Sequence, residues 1–148
     1  MALLALTTAL PLPNEFRAAD KEPFAGSPGY AVEYVASNTT ADAGPAWPVL
    51  RTGFIGGTVG SGLGSLVGMP GGPRGGPVFD AAGRLVGVAI RASGSLGADQ
   101  LVTTVALQKA LGKAVARPMP AGTRAAATAD LIYENSLKSS LQVMAVPR

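Results

Sequence analysis

The sequence predicts an all-β domain, and three observations carry the prediction. Its 148 residues hold 20 Gly and 12 Pro, while only 14% are charged, a composition that punctuates a chain into short extended pieces and interrupts helices. Short apolar runs rich in Val, Ile and Tyr recur between clusters of Gly, Pro, Asn and Asp. Apolar spacing of the helical kind is confined to the last third, from Val105 onward. The length suits one modest core.

The elements follow in order. Ala2–Leu6 has the length of a short apolar strand, and Pro11 and Pro13 then force an extended segment. The same start lacks the basic residues that open a signal peptide. The segment 14–28 is a polar connection broken by Pro23, Gly26 and Pro28. Tyr30–Ala36 reads as a strand, 37–48 as a loop, and Val49–Ile55 as a second strand that runs into a Gly-rich tract. Val78–Phe79 and Leu85–Ala92 flank Asp80-Ala81-Ala82-Gly83 and form a hairpin. Leu101–Thr104 is the last strand of this set. Val105, Leu107, Leu111 and Val115, with Lys109 and Lys113 between them, give a short helix. Residues 116–127 form a Pro- and Ala-containing linker. Thr128 or Asp130 then caps a helix carrying Leu131, Ile132, Leu137 and Leu141, and Leu141–Val146 is extended. Four segments result: 1–28 as lead-in, 29–115 as the domain proper, 116–127 as linker and 128–148 as tail.

Composition also excludes functions. There is no Cys and no His, so thiolate and imidazole metal sites are out and the commonest general base is missing. No metal and no cofactor is expected. The net charge of +3 is unevenly distributed: residues 1–50 carry two basic and five acidic side chains, residues 51–148 ten and four. The basic residues form no dense stripe with aromatic platforms, so nucleic acid is not an expected partner.

One motif carries chemical information: Gly72-Pro73-Arg74-Gly75-Gly76-Pro77-Val78-Phe79, continued by Asp80-Ala81-Ala82-Gly83-Arg84-Leu85-Val86-Gly87-Val88. It resembles the nucleophile region of trypsin-like serine proteases of the bacterial HtrA/Deg kind, whose pattern is Gly-(Asn/Asp)-Ser-Gly-Gly-Pro-(Leu/Val)-Phe. Arg74 stands where that family has its nucleophilic Ser. Met1-Ala2-Leu3-Leu4 resembles the stretch after the family's catalytic Asp, which would fall before Met1. Residues 25–34 and Arg51-Thr52-Gly53-Phe54-Ile55 resemble two further family strands, and 101–111 the closing strand and terminal helix. More weakly, 132–143 resembles the helix and strand that open such a domain.

The resemblance implies an antiparallel six-stranded Greek-key barrel like the second barrel of these proteases, with the triad lost. The nucleophile position is Arg74, no His is present to act as base, and a guanidinium has no lone pair with which to serve as one. It therefore implies a pseudoprotease, a structural or protein-binding subunit with no enzymatic activity. Half of a double-barrel fold leaves an apolar face open, so a protein partner or self-association is expected. The family implies a periplasmic or extracellular place, with no export signal in the sequence to support it. Two readings of Arg74 follow: an exposed side chain on a relict loop, which is favoured, or a side chain turned into the former pocket onto a carboxylate. The former substrate strand would be Ala89, Ile90, Arg91 and Ala92, a second binding candidate beside an ordinary barrel strand.

A competing reading starts from Thr52–Pro73, which is free of charge over 22 residues and repeats Gly at 56, 60, 64, 68 and 72. On a helix this is a small-residue packing face, and the length would span a bilayer. Nine Gly and two Pro in the same stretch weaken any such helix, so a membrane glycine zipper is the disfavoured alternative.

Overall fold

A computed structural model describes residues 17–34, 47–59, 63–69, 74–91, 99–112 and 126–141. Six strands and two helices lie in them: β1 (Ser27–Tyr34), β2 (Pro48–Val59), β3 (Leu63–Val67), β4 (Pro77–Phe79), β5 (Leu85–Arg91), β6 (Asp99–Thr103), α1 (Thr104–Leu111) and α2 (Ala129–Leu137). The strands close into an antiparallel barrel in the order β1-β2-β3-β6-β5-β4. Around the seam β4 lies beside β1, the Greek-key arrangement in which the fourth strand returns to the first. The expected all-β barrel is therefore present. The predicted N-terminal strand and most of the predicted C-terminal strand and linker lie outside the described residues.

Closure removes the edges that an open sheet of this size would expose. The seam is short: β1 and β4 pair only at Tyr30–Phe79 and Ala31–Val78. On the opposite side β2 pairs with β3 through a register shift between Ile55 and Thr58, where Gly56 and Gly57 fall. An extra residue there bends the strand and tightens the curvature. The Gly-rich tract is thus a pair of barrel strands over 52–59 and 63–67. The small-residue helix of the alternative reading does not form in them, and among the described residues no helix is long and apolar enough to cross a membrane.

The barrel interior holds Ala31, Ile55, Leu66, Val78, Val86, Ala89 and Leu101, with Ala19 and Met69 packed against them. Ala, Val, Ile and Leu fill it, a mix of sizes suited to the narrow space that six strands enclose. The end where β4 turns into β5 is closed by the lead-in: Ala19 donates to the Leu85 carbonyl and Leu85 to the Arg17 carbonyl, both at 2.8 Å. The β4–β5 connection spans Asp80 to Arg84, one residue longer than the four-residue loop expected. Asp80 Oδ1 accepts from the Ala82 and Arg84 amides at 2.9 Å each, and Gly83 has φ 71°, a turn conformation open to glycine. At this end α1 starts with Thr103 as its cap, whose hydroxyl accepts from the Ala106 amide at 3.2 Å.

The tail helix packs on the outside of the same barrel. Thr128 is its N-cap, as the sequence allowed. Ile132 enters a second cluster with Val32 and Phe79, bordered by Tyr30, Leu50, Leu85 and Tyr133. Of the four apolar residues predicted to pack, only Ile132 is buried; Leu131, Leu137 and Leu141 are exposed. Nine helical residues are too few to bury a full stripe when one turn faces the barrel. Truncation of Ile132 to Ala should lower the unfolding free energy by about 2–3 kcal/mol, the usual cost of a large-to-small change at a buried site, as measured by urea denaturation.

Candidate functional site: a buried charge chain at one end of the barrel

The residue types after Arg74 explain where its side chain goes. Gly75 has φ 107°, which a residue with a Cβ rarely adopts. Gly76 runs so close to β1 that a Cβ there would collide with Glu33 and the Val32 carbonyl. The two glycines also bond to β5: the Gly75 amide donates to the Ala89 carbonyl at 2.7 Å, and the Ala89 amide donates to the Gly76 carbonyl at 3.0 Å. This turn delivers Arg74 to the end of the barrel opposite α1, with its side chain 13% exposed.

There Arg74 pairs with Asp99 through two contacts, Nε to Oδ1 and Nη2 to Oδ2, a forked arrangement that a guanidinium supplies and an ammonium does not. Asp99 Oδ2 also lies 3.7 Å from Arg51 Nη1, and Arg51 Nη2 pairs with Glu33 Oε2. Arg51, Asp99 and Glu33 are 6%, 5% and 2% exposed at their side chains. The four charges sum to zero. Strand register explains the meeting. Ala31 lies opposite Arg51 and Leu66 opposite Asp99, and Ala31 and Leu66 both face the core, so Arg51 and Asp99 face inward too. Glu33 lies two residues from Ala31 on the same face, diagonal to Arg51.

Burial pushes the Arg51 guanidinium below its ordinary value, Arg74 adds to this by like-charge repulsion, and Asp99 acts in the opposite direction by its charge and hydrogen bond. It remains a cation, because a guanidinium titrates far above neutral pH. One oxygen of the chain, Glu33 Oε1, is buried without a hydrogen-bond partner. Among the described residues no group of three or more acidic side chains is placed to hold a metal ion.

The reading of Arg74 as an exposed side chain on a relict loop is overturned: it is turned into the barrel and paired with a carboxylate of its own chain. Gly75, Gly76 and Pro77 form the rest of the turn, while Gly72 and Pro73 lie outside the described residues. Of the residues that the resemblance marks as a substrate strand, Ala89 is fully buried and its backbone bonds to Gly75 and Gly76; Ile90 is half-buried, Arg91 is exposed opposite Asp99, and Ala92 lies outside the described residues. Sequence reasoning missed Glu33, Arg51 and Asp99. Their signal was present: each is the one charge of its strand, but only the register shows that they share one end of the barrel.

Two other surface features are potential contact regions. Phe54 and Val67 face each other across β2 and β3 and are 54% and 53% exposed, and Trp47 ahead of β2 is 80% exposed. At the opposite end of the barrel a cleft of about 270 Å³ lies between residues 19–24, the start of β1 and the Asp80–Arg84 turn. Arg84 there pairs with Asp80 at 2.7 Å and approaches Asp20 at 3.8 Å.

Comparison with known proteins gave no matching family model, no matching curated protein and no matching solved structure.

Removing Arg74 takes the forked partner from buried Asp99 and leaves Arg51 at 3.7 Å. Arg74→Ala should therefore cost about 3–5 kcal/mol, as breaking one partner of a buried pair does. Adding Asp99→Asn to it should cost less than the sum of the two single changes, which a double-mutant cycle by urea unfolding reads directly.

Proposed function

We propose that this chain is a catalytically inactive trypsin-like barrel that serves as a protein-binding or structural module. The observation that carries the reading is the place of Arg74. It stands at the nucleophile position of the motif, and its guanidinium is committed to Asp99 inside the barrel. The motif's glycines support the reading as well, because Gly75 and Gly76 are needed for the turn itself and would be kept after the chemistry was lost. None of the 148 residues is His, so the base of a Ser-His pair has no candidate. The six-stranded antiparallel Greek-key barrel is the architecture that the sequence resemblance implies.

A binding role is supported by the exposed apolar pair Phe54 and Val67, which adjoin across β2 and β3, and by the separately exposed Trp47, since exposed apolar surface marks contacts. Strand addition at the former substrate strand is less favoured, because the Ala89 amide and carbonyl are already used within the barrel.

The variant Arg74→Ser tests the loss of activity. It should release no product from fluorogenic peptide substrates, and it should unfold at lower urea concentration than the parent because Asp99 has lost its fork. Hydrolysis by this variant would overturn the reading.

A further inference from the structure

We infer that the exposed row Pro28–Phe54–Val67 on the outer face of β1, β2 and β3 is a self-association surface, and that its partner is the same face of a second copy of this chain. The inference rests on the protein-binding reading and deepens it by naming the partner.

An antiparallel sheet with one face on a core normally turns apolar side chains inward and polar ones outward. These three strands turn their charges the other way. Glu33 is the one charge of β1, Arg51 is the one charge of β2, and β3 has none; both Glu33 and Arg51 are buried. The outer face of the three strands is therefore built without a charged side chain. One part of it packs with α2, at Tyr30, Val32 and Leu50. The next row along the strands is exposed: Pro28 lies opposite Phe54, and Phe54 opposite Val67. The turn that carries Phe24, 79% exposed, is tied to the same strands. In it the Ser27 amide donates to the Phe24 carbonyl at 3.0 Å, and the Gly26 amide to the Ile55 carbonyl at 2.7 Å.

Two properties of this face select a second copy. The first is its lack of charge. An oppositely charged partner finds nothing to complement, and any charge laid on the row loses water without gaining an ion pair. The partner surface must be charge-free as well, and this chain presents one. The second property is shape. A two-fold interface uses one patch twice, so the patch must hold both a projection and the hollow that receives it. Phe54 and Val67 are the projection. Two residues along β2 the side chain is missing at Gly56, where a Cβ would point at Ser65 Oγ and Val67 Cγ2. At the exposed Gly57, a Cβ would meet nothing within 4 Å among the described residues. Ridge and shelf are about 7 Å apart along the strand. A two-fold axis between them seats the ridge of each copy on the shelf of the other. A row three strands wide is small against the roughly 1,600 Å² of a standard interface, so the dimer is weak and forms at high concentration.

The mass of the full chain in solution tests this. By sedimentation velocity it should rise from monomer at about 10 µM toward twofold at about 1 mM, the range of a weak complex. Phe54→Glu puts a charge on the ridge and Gly57→Glu fills the shelf; each should hold the mass at monomer throughout. Lys109→Glu, on the exposed side of α1, should leave the rise unchanged. A parent that stays monomeric would leave the face to a different protein or to a lipid surface, and the proposal would be wrong. A dimer that survives either Glu substitution, with the β circular dichroism of the parent intact, would equally overturn it. If a variant loses that signal, amide NMR shifts of the unmodified chain between dilute and concentrated samples decide. They should move at Phe54, Gly56, Gly57 and Val67, and changes confined to other residues would overturn the proposal. The Arg74→Ser assay reads hydrolysis and not mass, so failure of self-association and failure of the inactive-barrel reading are told apart.

Discussion

The neutral chain Glu33–Arg51–Asp99–Arg74 is the constraint on which the rest of the barrel depends. The apolar interior is built from Ala, Val, Ile and Leu. At one end the filling is ionic. Two carboxylates and two guanidiniums removed from water are tolerable together and very costly apart, so their presence fixes which strands must meet there. β1 contributes Glu33, β2 Arg51, β6 Asp99, and the approach to β4 brings Arg74. Apolar packing alone is permissive about register; four charges that must balance are not. Fully apolar replacements of similar volume could be as stable, so the contribution of the chain lies in specifying a single arrangement.

The glycines next to Arg74 take their meaning from this constraint. A bidentate contact needs the guanidinium plane aimed at Asp99, and the turn that aims it passes too close to β1 for any side chain at residue 76. A sequence motif that resembles a catalytic loop is in this molecule a device for inserting a cation into a barrel. Resemblance of a motif to a catalytic loop does not fix its chemistry; here the side chain at residue 74 places an ion where that motif has a hydroxyl.

The two ends and the outer face are closed by different physics. Ionic pairing fills one end. Backbone hydrogen bonds from residues 17 and 19 to Leu85, together with α1, close the other. The short β1–β4 seam is braced from outside by α2 through Ile132 and two tyrosine hydroxyls. The tail is thus part of the barrel's covering through Ile132 and Tyr133, while Leu131, Leu137 and Leu141 stay exposed.

By itself the sequence determined the β class, the hairpin around Asp80–Gly83, the helix after β6 and a second helix whose cap it left between Thr128 and Asp130. These are local matters: apolar period, glycine at positive φ and cap chemistry act over a few residues. The exposed reading of Arg74 failed because its partner lies 25 positions away and no local rule links them. Glu33 and Arg51 read as isolated charges within strands, and Asp99 fell ahead of one, for the same reason. Only tertiary structure decided that the charge-free Gly-rich tract is a bulged strand pair, because strand pairing and a helical packing face both accept small residues. Which charges share an interior, and which face the tail helix covers, depend on register and closure. Those are properties of residues brought together across the barrel, and a chain read in order does not contain them.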